Sequence, residues 1–360
     1  MKKFLYPLIF IIFSNLINAQ ETEKLEPKIT FSGYAEIFYN YDFAEPENHI
    51  RQPFLYTYNR HNEFNLNIGL AKAHYETETM RANLAAMAGT YVQDNMAAEQ
   101  GALKFVNEAN VGFKISKDKN LWIDAGILPS HIGWESAVGK DNLTLTRSIA
   151  AENSPYFETG AKISYTTDNG KWFLSGLVLN GWQRIAKLEG NQSLGIGHQL
   201  TYTPSTIFSI NSSSFIGNDK PKGEKKMRYF HNLFATLKPT DKFTTILGFD
   251  IGAEQKEKGS DAYNIWYSPN VLAKYQITEK AGIGGRLEYY NDKNGVIIST
   301  ATPKIFQTFG YSLNFDYQIH QNILWRTEAR GFSSKDAIFI KDGNPTNGNF
   351  SLTTSVSAWF

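Results

Sequence analysis

The sequence predicts an all-β protein: a closed, antiparallel, up-and-down transmembrane β-barrel of about 16 strands. Three observations support this fold class. Side-chain polarity alternates with a period of two over segments longer than an ordinary strand, short turns alternate with long polar loops, and the last alternating segment runs to Phe360. Because lipid offers no hydrogen-bond partners, a sheet can cross a membrane only when it closes on itself.

The first residues have the pattern of an export signal. Lys2 and Lys3 precede an apolar run over 4–13, and a small residue, Ala19, lies at the expected cleavage point. We therefore predict a cleaved signal peptide at 1–19 and a barrel domain over 20–360. No later segment approaches the roughly 20 apolar residues of a membrane-spanning helix.

Charge and composition exclude several classes of partner. The chain has 36 Lys and Arg against 35 Asp and Glu, and removal of Lys2 and Lys3 takes its formal charge from +1 to −1. This balance argues against a nucleic-acid partner, which requires a concentrated basic face. The chain has no cysteine, so it carries neither a disulfide framework nor a lipid-anchored cysteine. We also expect no cofactor.

The first strand shows the alternation most clearly. Odd positions such as Phe31 and Ile37 are apolar, whereas even positions such as Thr30 and Glu36 are polar. The same pattern predicts strands at 28–43, 63–75, 80–92, 104–116, 121–128, 157–166, 171–182, 194–203, 206–216, 227–238, 243–254, 266–277, 281–291, 305–319, 323–332 and 349–360.

The connections between these strands alternate in length. Turns such as 168–170 and 320–322 are short and rich in turn-forming residues. The long connections are 44–60, 93–103, 129–156, 183–193, 217–226, 255–264, 292–304 and 333–348. This layout is typical of a barrel with short periplasmic turns and long extracellular loops in the bacterial outer membrane.

A barrel of about 16 strands is wide enough to enclose a water-filled lumen. The alternation directs many charged side chains inward, where only water or ion pairing makes them tolerable. The pore-lining residues predicted on strands are Arg81, Glu108, Asp124, Glu158, Arg286, Glu288, Arg326, Glu328 and Arg330.

The segment 129–156 is unusually long and has apolar anchors of its own, so we expect it to be ordered and functional. Either it folds into the barrel and narrows the channel, or it caps the extracellular mouth. Its candidate constriction residues are Glu135, Lys140, Asp141, Arg147 and Glu152. We expect an acidic loop facing a basic wall of Arg286, Arg326 and Arg330 to set the ion selectivity.

Several stretches are similar to a known family: FSGYAEIFYNYDF, RHNEFNLN, GTYVQDN, LSGLVLNGWQRI and, above all, the region from Leu121 to Tyr165. They resemble the OmpL-like β-barrel porins of the Bacteroidota. The resemblance implies an outer-membrane channel for small hydrophilic solutes, with outer-membrane lipid as its surroundings. The resemblance supplies no catalytic residues. We expect a homotrimer only by analogy with other porins of this size.

Two alternatives remain open at this point. The first is a plugged scaffold barrel that holds a partner protein or lipoprotein at the outer membrane. The second is a barrel enzyme, which would need a histidine, a serine and an orienting polar group on the lipid face. His198 and His231 fall on that face, but we predict no outward-facing serine on the strand between them, so we expect no catalysis.

Overall fold

The computed structural model describes residues 27–360, so the predicted signal peptide lies outside the described residues. Within them, 16 strands form one closed barrel in which every neighbouring pair is antiparallel, which confirms the predicted fold class. The barrel strands are β1 (Lys28–Asp42), β2 (Phe64–Glu76), β3 (Met80–Ala88), β4 (Val106–Lys114), β5 (Asn120–Pro129), β6 (Phe157–Thr166), β7 (Trp172–Leu179), β8 (Gly195–Tyr202), β9 (Phe208–Gly217), β10 (Arg228–Thr240), β11 (Phe243–Gln255), β12 (Tyr263–Gln276), β13 (Ala281–Asp292), β14 (Phe306–His320), β15 (Ile323–Ser334) and β18 (Gly348–Trp359).

The barrel closes where the last strand meets the first. β1 and β18 pair from Tyr34 opposite Trp359 to Asp42 opposite Ser351. The backbone N–H of Phe360 also donates to the carbonyl of Gly33, at 3.1 Å. Every strand therefore has two neighbours, and no edge is left to lipid.

The polarity of this sheet is the reverse of that in a soluble barrel. On β13, Leu287 is 55% exposed on the outer face, whereas its neighbours Arg286 and Glu288 are each 2% exposed on the inner face. Apolar side chains point to the lipid, because placing them in hydrocarbon has no free-energy cost. Charged side chains point inward, where they form ion pairs and hydrogen bonds.

The largest boundary error occurs at β3, which was predicted to reach residue 92. It ends at Ala88, and a short helix α1 (Thr90–Asn95) follows. Gly89 between them has φ +129°, and a Cβ there would lie 2.4 Å from the carbonyl oxygen of Asn67. Only glycine fits this close approach, so the strand ends at this residue.

Further small elements lie in the long extracellular connections, among them 3₁₀ turns at Gly139–Asp141 and Lys222–Glu224. β4 begins at Val106 rather than at 104, because a 3₁₀ turn covers Gly101–Phe105. A second short helix, α2 (Ile149–Glu152), lies between β5 and β6. The hairpin of β16 (Phe339–Lys341) and β17 (Asn344–Thr346) lies between β15 and β18. No helix within residues 27–360 is long and apolar enough to cross a membrane.

Candidate functional site

The chain between β5 and β6 enters the barrel and reaches the opposite wall. We call residues 130–156 the inserted loop. The N–H of Leu145 donates to the side-chain oxygen of Asn314 on β14, at 3.1 Å. The N–H of Thr146 donates to the carboxylate of Glu328 on β15, at 2.6 Å. In the ring of strands, β14 and β15 lie about half a turn from β5 and β6, so the loop crosses the lumen.

Arg286 attaches the inserted loop to β13. Its guanidinium donates to the hydroxyl of Thr144 at 2.9 Å and to the carbonyl of Thr146 at 2.6 Å. It also pairs with Glu288 at 3.1 Å and with Glu328 at 3.2 Å. The guanidinium has a planar set of five donors, which suits it to holding backbone and carboxylate oxygens together.

Two further arginines, both on β15, lie in the same part of the barrel wall. Arg326 forms two bonds with Asp316, at 2.6 and 3.1 Å, and donates to the loop carbonyl of Gly139 at 2.7 Å. Arg330 pairs with Glu288 at 2.7 Å. All three arginines are at most 2% exposed. The expected basic wall is therefore absent, because each arginine is neutralised by a carboxylate and turned to the loop.

Inside the loop, charged groups are also paired or packed. Glu135 accepts a hydrogen bond from the N–H of Ser148 at 3.1 Å. The guanidinium of Arg147 lies 4.9 Å from the ring centre of Tyr91 and 4.8 Å from that of Tyr156, a cation–π geometry.

A second connection joins the inserted loop. Residues 43–63, between β1 and β2, reach Glu152, which accepts the N–H of Tyr56 at 3.1 Å and the hydroxyl of Thr57. Phe54 and Leu55 of this connection pack with Ile149 of the loop in one buried apolar cluster. Ile298 and Phe339, from the connections after β13 and β15, join the same cluster, so several connections pack the extracellular half of the lumen.

Lys140 and Asp141 form the only predicted loop pair that stays partly open to solvent among the five loop candidates. Their side chains are 29% and 50% exposed and form an ion pair at 2.6 Å. The ammonium of Lys140 lies 5.4 Å from the ring centre of Trp359, at the periplasmic end of β18. The inserted loop therefore extends deep into the barrel.

The wall near β5 keeps an open polar cavity. Its volume is about 360 Å³, and it opens toward the periplasmic strand ends. Arg81 forms two bonds of 2.6 Å with Asp124, and Lys162 lies 3.9 Å from the same carboxylate. Glu108 pairs with Lys72 at 2.9 Å. The basic side chains on this wall are 22–28% exposed, so they face water, unlike the three arginines opposite.

A second polar cavity, of about 460 Å³, lies on the extracellular side between α1, the inserted loop and the connections after β7 and β13. Pro129 lines the periplasmic cavity and Phe157 lines the extracellular one. These two residues are ladder partners on β5 and β6. The two cavities are therefore separated by no more than one pair of facing residues on β5 and β6. Glu158, which binds His131 at 2.7 Å, is buried at this junction.

The predicted site residues thus fall into separate groups. Arg286, Glu288, Glu328 and Arg330 form one network that Glu135 approaches to 3.9 Å, and Arg326 pairs separately with Asp316. On the opposite wall Arg81 pairs with Asp124, and Glu108 pairs with Lys72. Glu36 was missed, although the alternation of β1 places it on the inner face, where Tyr58 donates to it at 2.8 Å. Arg51, which pairs with Asp42 at 3.1 Å, was also missed, and no local pattern marks it.

The outer face corrects one prediction. We predicted no outward-facing serine between His198 and His231, and this is wrong. Ser213 of β9 points inward, where it donates to the carbonyl of His131 at 2.7 Å, so Ser212 and Ser214 on either side of it point outward.

The packing of the inserted loop is expected to depend on pH. Burial raises the pKa of Glu135, which faces Arg286 and Glu288, and burial raises the pKa of Glu152, which faces Arg147 and Arg330. A raised pKa means that the packed loop binds these protons more tightly than a released loop. Packing is therefore fully favoured below the ordinary glutamate pKa of about 4.3 and weakens as the pH rises through the raised values.

Hydrogen exchange of the loop amides, corrected for intrinsic rates, should show more protection at pH 5 than at pH 7.5. In a variant with Glu135→Gln and Glu152→Gln this difference should disappear. Equal protection of the parent loop at both pH values would contradict the prediction.

A closed barrel with an apolar outer face, a charged inner face and a loop inserted into its lumen defines a transmembrane barrel of the porin class. The chain belongs to the family described as "Putative beta-barrel porin-2, OmpL-like", whose model matches residues 28–360. It is accordingly a protein of the bacterial outer membrane.

Solved structures show the same fold at low sequence identity. OmpT of Vibrio cholerae, in its trimer form, is 7% identical with a TM-score of 0.61, over 93% of this chain and 99% of that chain. An anion-selective porin from Comamonas acidovorans is 10% identical with a TM-score of 0.61, over 93% and 100% of the two chains. The channel DcaP of Acinetobacter baumannii is 10% identical with a TM-score of 0.58, over 93% and 97%. No curated protein matches the sequence.

Proposed function

We propose that this protein is a porin through which small hydrophilic solutes diffuse passively along the β3 to β7 side of the lumen. The observation that supports this route most directly is the pair of polar cavities that approach within one rung at Pro129 and Phe157. The inserted loop occupies the opposite side of the lumen and narrows the channel.

The wall of this route is suited to hydrated solutes. The basic side chains of Arg81 and Lys162 flank the buried carboxylate of Asp124 and are 28% and 22% exposed, so they replace part of the hydration that a polar solute loses on entry. Selection then rests on the size of the constriction and on the sign of the nearby charges, with no chemical step. This is the mechanism of a diffusion channel, not of an enzyme.

A plugged scaffold barrel is the second candidate. The observation in its favour is the buried layer of Phe54, Leu55, Ile149 and Phe306, which packs the extracellular half of the lumen. Planar-bilayer recording on the purified protein separates the two candidates. We expect a current that is linear in voltage, together with swelling of liposomes in small sugars. A silent bilayer and liposomes that do not swell would favour the scaffold.

Ion selectivity should depend on the charged side chains that line the periplasmic cavity. Lys162→Glu makes the periplasmic cavity more negative. We therefore expect the reversal potential in a salt gradient to shift toward the equilibrium potential of the cation. Lys258→Glu, in the exposed connection between β11 and β12, makes the same charge change outside the lumen and should leave the reversal potential unchanged. Equal shifts of the reversal potential in the two variants would show that the periplasmic cavity is not part of the conduction path.

Export and assembly complete the proposal. We infer that residues 1–19 are removed during export and that the barrel assembles as a homotrimer. The signal pattern at the N-terminus supports the first point, and the trimer form of one structural relative supports the second. N-terminal sequencing of protein from outer membranes and its mass in mild detergent would test both.

A further inference from the structure

Four polar side chains form a continuous hydrogen-bonded chain on the lipid-facing side of three adjacent strands. We call His198 of β8, Ser212 and Ser214 of β9, and His231 of β10 the polar chain. The hydroxyl of Ser214 and Nδ1 of His198 are 2.6 Å apart. Nε2 of His198 and the hydroxyl of Ser212 are 3.2 Å apart, and that hydroxyl is 2.9 Å from Nε2 of His231.

The polar chain has one hydrogen-bond donor more than it can use. A neutral histidine carries one N–H and a serine carries one O–H, so the four side chains hold four donors, of which the three hydrogen bonds use three. Depending on the direction of the bonds, the unused donor is Nδ1–H of His231, the hydroxyl of Ser214 or, where Ser212 accepts from both histidines, the hydroxyl of Ser212. All four side chains are partly exposed, so this donor can reach a molecule on the outer face.

The position of the polar chain suits the ester region of a lipid. His198, Ser214 and His231 each lie three residues from the extracellular end of their strand, which is about 10 Å along the strand. The next outward position above His231 is Tyr229, whose ring stacks edge-on with Tyr263, 5.9 Å away. Aromatic side chains of this kind mark the level of lipid headgroups.

An apolar groove continues from the polar chain toward the membrane interior. Ile210 and Leu233, the next outward positions below Ser212 and His231, line one end of it. The groove has a volume of about 460 Å³, within the range of sites that hold small ligands, and its lining is almost entirely apolar. Phe309 of β14 lines it as well, so the groove extends across several strands.

We propose that this face is a binding site for a diacyl glycerophospholipid. The spare donor of the polar chain binds an acyl-ester carbonyl, and the acyl chain lies in the groove below it. The ester carbonyl is the acceptor that a bilayer offers just beneath its headgroups, and without it the donor would face hydrocarbon unpaired.

The same geometry argues for binding rather than ester cleavage. Ser212 with His198 and Ser214 has the order of a nucleophile, a base and an orienting group. Cleavage also needs donors aimed at the oxyanion. The strands β8, β9 and β10 are paired on both sides along this stretch, so their backbone N–H groups are used in the barrel ladder.

An ester and an ether lipid test the proposal directly, because only the ester has the carbonyl. The purified barrel in detergent is titrated with dioleoyl phosphatidylcholine and with its diether analogue, and bound lipid is counted by native mass spectrometry. We expect the ester lipid to bind about threefold more tightly, which is the effect of an average polar hydrogen bond in a membrane.

A variant with His198→Leu, Ser212→Ala, Ser214→Ala and His231→Leu should bind both lipids equally and keep the parent conductance, which shows that it folds. A control with His74→Leu and Asn83→Ala, a hydrogen-bonded pair on the inner face, should keep the lipid preference. Three results would overturn the proposal: no preference in the parent protein, hydrolysis of the ester lipid, or an oligomer that dissociates in the apolar variant.

Discussion

Replacement of residues 134–147 by a short glycine–serine linker is expected to raise the single-channel conductance several-fold. These residues cross the lumen and contact the far wall through Gly139, Leu145 and Thr146. A ring of 16 strands is wide enough for an aqueous channel, so removing residues 134–147 widens the space that residues 43–63 and 148–156 leave in the lumen. Single-channel recording in planar bilayers, together with the size limit for sugars in liposome swelling, measures the change.

The barrel wall should survive this change, because the closing pairs of β1 with β18 and the other ladders do not involve the inserted loop. The matched control replaces 256–262, a connection between β11 and β12, with the same linker and should conduct like the parent. An unchanged conductance after loss of 134–147 would show that the inserted loop is not the constriction.

Arg286→Ala is expected to destabilise the packed loop by about 3–5 kcal/mol, the usual effect of removing one partner from a buried ion pair. Arg286 is 2% exposed and binds Glu288, Glu328 and three loop oxygens at once. Without it, these carboxylates lose a counter-charge in a region that water does not reach. The free energy of loop opening, from hydrogen exchange of the loop amides, gives the magnitude.

Two variants separate this effect from a general loss of charge. Lys119→Ala removes an exposed ion pair with Asp168 and should leave the exchange of the loop unchanged. Arg286→Lys keeps a positive charge beside Glu288 and Glu328 but loses the planar set of donors, and it should cost less than Arg286→Ala. Loop amides that exchange at the parent rate in Arg286→Ala would show that this arginine does not hold the loop.

The prediction of strands from the sequence succeeded where a local physical rule applies. β1 was predicted at 28–43 and covers Lys28–Asp42, because alternate side chains must face lipid and lumen throughout that length. The prediction failed at the end of β3, where the close approach of Gly89 to the chain at Asn67 ends the strand. That contact joins the residue after β3 to strand β2, and the side-chain alternation of neither segment records it.

The charge pattern of the inner face was visible in the sequence, but its meaning was not. Arg286, Arg326 and Arg330 were assigned to the inner face from alternation alone, and they lie there. Their expected role in selectivity depended on their facing water. In the fold they face carboxylates and the loop, whereas the basic side chains that face water are those of Lys72, Arg81 and Lys162.

The class of fold, the faces of the strands and the side of each connection can be predicted from the chain alone, because each follows from the alternation imposed by lipid outside and polar groups inside. The folded arrangement is needed to locate the inserted loop, to identify the arginines that hold it, and to show that serines join the two histidines on the outer face. Those features depend on residues far apart in the chain, such as Thr146 and Glu328, 182 positions apart, and no local period records such contacts.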